Sequence, residues 1–302
     1  MPATQQTILI AGANSFIGAH CAARFASDGW HVHALLRASS GIGMLQALDV
    51  SATIHRPTSW ATLRDVLATT RPDVVIHATA QFVAEHEPEQ IASLIEANVH
   101  FGTQLIDAMA AARSTRFVNI STTWRHYQGA ANDAVSLYAA TKQAFETVLD
   151  YYVSAERFAA ATVELPDTYG PHDRRGKLLS SLQHAATTGE ALDLSPGEQR
   201  IDLLHVDDVV DAFTLVVDRL MADKAARHDR FALTSGHYVT VRELVAMMEL
   251  ATGRVIHVRW GARPYRRREM MSPWDGGPSL RGWNARRSLA SALEEMAAEA
   301  VD

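Results

Sequence analysis

The chain has 302 residues, 47% hydrophobic and 21% charged, which suffices for one large or two modest domains and excludes a disordered or collagen-like chain. Its 28 Lys+Arg against 34 Asp+Glu leave a formal net charge of −6, without bulk attraction for nucleic acid or anionic lipid. One cysteine, Cys21, excludes an intrachain disulfide and a cysteine-based zinc cluster; no apolar run reaches a membrane span, and the polar start from Met1 to Thr7 lacks a basic signal-peptide region, so a cytoplasmic protein is expected.

Thr7–Ala11 reads as a buried strand, followed by a glycine turn and a helix over Ile17–Ser27 that Gly29 closes. Trp30–Leu36 reads as a second strand. Next come a helix around Trp60–Thr69, a strand over Asp73–Ala78, a helix over Glu89–Arg113 and a strand over Arg116–Ser121. A helix over Leu137–Arg157 and a strand over Ala160–Leu165 complete the alternation. Continuous apolar strands separated by helices predict an α/β fold, a Rossmann-type doubly wound parallel sheet with helices on both faces. After Tyr169-Gly170-Pro171 the segments shorten and Arg, Gly and Pro become frequent. Strand Ile201–Val206, helix Val209–Leu220 and strand Phe231–Thr234 are expected to rejoin the first domain. The expected division is therefore a dinucleotide-binding domain over 1–169 plus about 201–236. A smaller, partly discontinuous α/β substrate lobe takes about 170–200 plus 237–302 and ends in a surface helix, Ser288–Ala300.

The turn Gly12-Ala13-Asn14-Ser15-Phe16-Ile17-Gly18 joins the first strand to the first helix. Gly12 allows a tight turn and Gly18 close packing of helix on sheet. The helix start carries unpaired N–H groups and a partial positive charge, which suits a pyrophosphate beside Asn14, Ser15, Phe16 and Ile17. Ser15 stands where the usual fingerprint has its middle glycine. At the end of the second strand, Ala34-Leu35-Leu36-Arg37-Ala38-Ser39-Ser40 has no carboxylate to accept a ribose 2′-OH, and Arg37 suits a 2′-phosphate instead. The expected cofactor is NADP(H), with Ala78 as a further contact.

Tyr138-Ala139-Ala140-Thr141-Lys142 puts a phenol and an ammonium on one helix face. A free phenol has a pKa of about 10, and a nearby cation is expected to lower it, so Tyr138 would exchange a proton with a sugar carbonyl or hydroxyl. The preceding strand ends in Asn119-Ile120-Ser121-Thr122-Thr123, a supply of hydroxyls to hold a substrate oxygen.

On these motifs, with Asp73–Ala78, Asn98 within Glu96-Ala97-Asn98-Val99, and Tyr169-Gly170-Pro171, the chain resembles the extended short-chain dehydrogenase/reductase family over nearly its whole length. The resemblance implies that Thr122 is the catalytic Ser/Thr, with Ser121 and Thr123 as near alternatives. It implies that Tyr138 and Lys142 are catalytic and also touch the cofactor, and that Asn98, counted with the cofactor residues, steadies the helix near the site. Leu137–Glu146, Ser195–Gln199 and Arg263–Arg266 are similar to segments of the nucleotide-sugar 4-ketoreductases that make CDP-paratose and CDP-abequose. Ile54-His55-Arg56-Pro57 departs from the family, which has an Asp near the adenine at the end of the third strand. Arg263–Glu269 resembles the segment that clamps the substrate diphosphate, which implies a role for Arg266; Arg200, Thr123 and Asp167 complete the expected substrate set. Trp260, Tyr265 and Trp274 either stack on a base or serve as core or surface aromatics.

The fourteen histidines show no metal-ligand spacing, and no metal is expected. Asp207-Asp208 is expected to cap a helix. Family members pair the helices over Glu89–Arg113 and Leu137–Arg157 into a four-helix bundle, which implies a homodimer; Ala108, Ala111, Ala144, Phe145 and Leu149 are the small and apolar residues there. Thr123-Trp124 replaces the Asp-Glu of 4,6-dehydratases, and Cys21 is far from the hydroxyl cluster where C3/C5 epimerases carry a cysteine. The implied activity is NADPH-dependent reduction of the C4 carbonyl of a nucleotide-linked 4-keto-6-deoxy sugar. The alternatives are a C4 epimerase that retains its cofactor and a non-enzymatic NADP(H)-binding regulator.

Overall fold

Seven short strands form the centre of the computed structural model, which describes residues 5–223 and 225–299; the inner ones are apolar and buried on both sides, whereas the edge strands carry polar residues and are more open. Met1–Thr4 and Ala300, parts of the expected polar start and terminal helix, lie outside the described residues. In chain order the first half runs β1 (Thr7–Ala11), α1 (Phe16–Ser27), β2 (His31–Leu35), α2 (Gly43–Ala47), β3 (Thr53–His55), α3 (Trp60–Thr70) and β4 (Val74–His77). Then follow α4 (Ile91–Ile95), α5 (Phe101–Ala112), β5 (Arg116–Thr122), α6 (Leu137–Ala155) and β6 (Ala159–Leu165). The second half runs β7 (Asp167–Tyr169), α7 (Leu178–Thr188), β8 (Leu192–Leu194), β9 (Arg200–His205), α8 (Val206–Ala222) and β10 (Arg227–Ala232). It ends with β11 (Tyr238–Thr240), α9 (Val241–Thr252), β12 (Val258–Trp260) and α10 (Leu289–Glu299).

The large sheet has the order β10-β6-β5-β4-β1-β2-β3, with every pair parallel. Alternate residues of each strand enter different cores. Ile8, Ile10, Val74 and Ile76 pack under α1 and α8, whereas Leu9, Ala11, Val75 and Phe117 pack under α3, α5 and α6. The order reverses between β1 and β4, so a crevice opens at their carboxyl ends, where doubly wound sheets bind ligands.

Three differences from the sequence reading have local causes. The strand expected over Ile201–Val206 as part of the first domain is not in the large sheet: it pairs parallel to β7 and antiparallel to β11, in a separate three-stranded sheet. An apolar run does not specify which sheet it joins. The helix expected over Glu89–Arg113 is interrupted by a π-helical turn at Glu96–His100, which points Asn98 inward. Asp207 and Asp208 sit in the first turn of α8, but the cap is His205, whose Nδ1 accepts from the Asp207 N–H. The buried Asp208 carboxylate instead accepts the backbone N–H groups of Arg286 and Arg287, tying the C-terminal segment to α8.

The smaller lobe has its own core, built from Leu182 of α7, Leu244 and Met248 of α9 and Leu293 of α10. Among the described residues no helix is long and apolar enough to cross a membrane.

Candidate active site

The glycine turn at the end of β1 is closed tightly enough to leave no room for side chains. Gly12 has φ +80°, and a Cβ there would stand 2.8 Å from the backbone N of Thr79, just past β4. A Cβ on Gly18 would stand 2.3 Å from the Gly12 carbonyl oxygen. Ser15, at the middle-glycine position, has an extended backbone (φ −73°, ψ 161°) that needs no glycine. Its Oγ accepts the Gly18 N–H at 3.1 Å and donates to the Ala78 carbonyl at 3.3 Å. The serine is thus the N-cap of α1 and a tie to β4. Asn14, Ser15, Phe16 and Ile17 line a cleft of about 560 Å³ at this point. A cradle that a Cβ would fill, at the first turn of a twelve-residue helix, fits a dinucleotide pyrophosphate.

The same cleft is lined by Ala78, Ser121, Thr122, Tyr138 and Lys142, so positions more than a hundred residues apart in the sequence come together here. Ser136 caps α6 by accepting the Ala139 N–H, which fixes the helix start two residues before Tyr138. Lys142 follows one turn later and is almost wholly buried. The Thr122 hydroxyl accepts from the Trp124 N–H at 3.2 Å.

The phenol behaves opposite to expectation. Burial pushes the Tyr138 pKa up to about 12, the Asp167 carboxylate pushes it the same way, and the Arg175 cation opposes them. Burial also brings Lys142 down to about 8, against the pull of Glu146 one turn further along α6. Desolvation sets the direction of the Tyr138 shift, and the cation that opposes it is Arg175 rather than Lys142, on which the sequence argument relied.

Other expected residues fall in three places. Thr123, Asp167, Arg200 and Arg266 line a second, smaller cavity, which shares Trp124, Pro166 and Asp167 with the first. Arg266 donates to Glu269 from Nε at 3.1 Å and lies 5.0 Å over the Trp124 ring. Arg200 is exposed and faces the Tyr238 ring. Arg37 stands outside the cleft lining, exposed beyond β2. Asn98 is buried behind the wall: its amide accepts from Gln81 N–H and donates to the Gln81 carbonyl and to Thr141 Oγ1. It therefore holds the loop after β4 against the Tyr138/Lys142 helix without lining the cleft. The aromatics considered for base stacking are engaged elsewhere. Trp274 lies on His126, ring centroids 3.5 Å apart, and Trp260 packs beside Arg242. No group of three or more His, Cys, Asp or Glu among the described residues is placed to hold a metal.

Sequence reasoning missed Phe82, Trp124 and Lys177. Phe82 packs edge-on to Tyr138 (5.1 Å) and Trp124 (5.5 Å), giving the phenol an apolar wall. Lys177, at the start of α7, is 2.7 Å from Asp167. Burial opposes the Asp167 charge, but Lys177, Arg175 and Arg266 together hold its pKa below the usual value. Trp124 adjoins the hydroxyl motif and was within reach of the pattern; Lys177 carries no local signal.

A model of the NAD dependent epimerase/dehydratase family matches residues 8–228. The CDP-abequose synthase of Yersinia pseudotuberculosis is 26% identical over 220 residues, covering 71% of this chain and 74% of that one. The CDP-abequose synthase of Salmonella muenchen is 22% identical over 294 residues, covering 96% of each. The crystal structure of Thermotoga maritima UDP-glucose 4-epimerase with UDP-glucose superposes with a TM-score of 0.84 at 20% identity, covering 98% of this chain and all of that one.

Proposed function

The chain belongs to the NAD dependent epimerase/dehydratase family, and on that premise we propose that it reduces the C4 carbonyl of a nucleotide-linked 4-keto-6-deoxy sugar with NADP(H). The observation that carries this reading is the convergence of Thr122, Tyr138 and Lys142 with the glycine turn on one cleft. Carbonyl reduction needs an acid at the oxygen. C4 epimerisation begins instead with removal of a hydroxyl proton and returns the hydride that it takes. Asp167, the carboxylate in that cleft, is ion-paired with Lys177 and is no acid for expelling water. The similarity to CDP-abequose synthases supports a nucleotide-sugar substrate. The C4 epimerase remains the second reading, because the same Tyr138/Lys142 pair serves it and the epimerase structure shares the fold.

Gly12, Gly18 and the first turn of α1 would hold the pyrophosphate, and Arg37 the 2′-phosphate. The bound cofactor supplies a hydride to the carbonyl carbon. Tyr138 gives its proton to the C4 oxygen, Thr122 holds that oxygen, and Lys142 supports the phenol. Arg266 grips the diphosphate, so binding energy remote from C4 positions the carbonyl. A screen of CDP-, GDP- and dTDP-linked 4-keto-6-deoxy sugars should find one that drives NADPH oxidation; oxidation with none of them would reject the reading.

Arg37→Ala is expected to weaken NADPH binding by about 1.5–3 kcal/mol, the worth of a hydrogen bond to a charged group, and to leave NADH nearly unaffected. Equal wild-type affinity for NADH and NADPH by calorimetry would contradict the assignment of Arg37.

A homodimer through α4–α6 is expected, although not through all the residues first considered. Ala108, Phe145 and Leu149 are wholly buried in the protomer's own core. The outer face instead presents Ile91 and Ile95 of α4 with Ala144 and Tyr151 of α6, all exposed. Light scattering at micromolar concentration should give twice the chain mass, and a monomeric mass would count against this face as an interface.

A further inference from the structure

The end of the sheet beside Arg37 carries a second cation. Leu35 pairs with His55, and the Leu36 N–H donates to the His55 carbonyl at 2.9 Å, so β2 and β3 end together. Arg37 and Arg56 leave the sheet side by side. Arg56 Nη1 donates to the Arg37 carbonyl at 2.7 Å and to the Ala38 carbonyl at 3.2 Å. The Ser40 N–H reaches the same Arg37 carbonyl at 3.0 Å, so the loop after β2 is folded around one guanidinium. Both of the Arg56 bonds use Nη1, which leaves Nε and Nη2 without partners among the described residues. Both arginines are exposed, and neither is in an ion pair among the described residues. The stretch Leu36–Ser40 and residues 54–57 contain no carboxylate.

We propose that Arg56 is a second ligand of the ribose 2′-phosphate and the clamp that shapes the Arg37 loop to receive it. The inference rests on the NADP(H) reading above and extends it to a residue of another strand. A 2′-phosphate is a dianion with three acceptor oxygens, more than one guanidinium satisfies. Two planar forks at the carboxyl ends of adjacent strands, where the adenosine half of a dinucleotide binds, suit it. A lysine would carry the charge without bridging two carbonyls and a phosphate from one plane.

The test is calorimetry with 2′,5′-ADP and 5′-ADP on wild type, Arg56→Ala and Arg56→Lys. Wild type should bind 2′,5′-ADP at least about ten-fold more tightly than 5′-ADP. Arg56→Ala should lose about ten-fold on 2′,5′-ADP and nothing on 5′-ADP, and Arg56→Lys should recover only part of the loss. Arg56 is exposed, and an unchanged thermal midpoint of each variant shows that the fold is intact. Full discrimination by Arg56→Ala would overturn the assignment of Arg56 and leave the NADP(H) reading standing. Equal weakening of both nucleotides would reduce Arg56 to a structural support and equally overturn it. Wild type that does not distinguish the two nucleotides would remove the NADP(H) reading itself, and the role of Arg56 with it.

Discussion

Tyr138→Phe is expected to cut turnover about 10²–10⁴-fold, the usual worth of general acid–base help. The ring, its contacts with Phe82 and the helix cap at Ser136 all remain, so cofactor affinity should barely change. The pH dependence follows from the same environment. Burial keeps the phenol protonated, with a pKa near 12, through the whole neutral range. The Lys142 pKa is lowered to about 8, so its charge is present below that pH and is lost as pH rises through it. Turnover in the direction of reduction should therefore be level near neutrality and fall above about pH 8, and a pH profile of kcat measures it. Near-normal turnover of Tyr138→Phe would remove the phenol from the mechanism.

Glu146→Ala should destabilise the protein by about 1–3 kcal/mol, the cost of leaving hydrogen-bonding capacity of a buried charged group unmet. Glu146 lies one turn beyond Lys142, and its side chain is 3% exposed. One carboxylate oxygen binds Arg125, itself buried; the other accepts from Arg230 Nε at 2.5 Å. Arg125 also reaches Glu164 at 3.3 Å, and Glu164 binds His126 at 2.7 Å, so the cluster joins α6, β6 and the turn after β5. Removing Glu146 takes from the buried Arg125 one of its two carboxylates, leaving Glu164 at 3.3 Å, and leaves the partly exposed Arg230 paired with Asp150 at 2.8 Å. Urea unfolding should show the loss as a lower midpoint, and an unchanged midpoint would show that the cluster contributes nothing net.

Local patterns made much of this legible in the sequence. The inner strands are short and apolar on both faces, so their positions could be read to within a residue or two; the polar edge strands β3, not assigned from the sequence, and β10, expected only at Phe231–Thr234, could not. Gly12 and Gly18 are needed by close backbone approach, and Tyr138 and Lys142 by helical spacing; each leaves its trace within one segment. What failed depends on distant parts of the chain. The partner of β9 is chosen by β7 and β11, not by its own residues. The direction of the Tyr138 shift depends on how deeply the cleft buries it. Asn98 is readable as a polar helix residue, but its grip on Gln81 and Thr141 requires a π-helical turn that no periodicity announces. Lys177 is a surface-like residue until the start of α7 brings it to Asp167.

The central claim is reduction with net consumption of cofactor, and isotope transfer tests it most directly. NADPH deuterated on the transferred side is incubated with the sugar that supports oxidation, and the product is weighed by mass spectrometry. Reduction predicts one deuterium in each product sugar, matched by the loss of one NADPH. An epimerase returns the same hydrogen that it removes. Product that forms without net loss of NADPH would contradict the account and establish the C4 epimerase in its place.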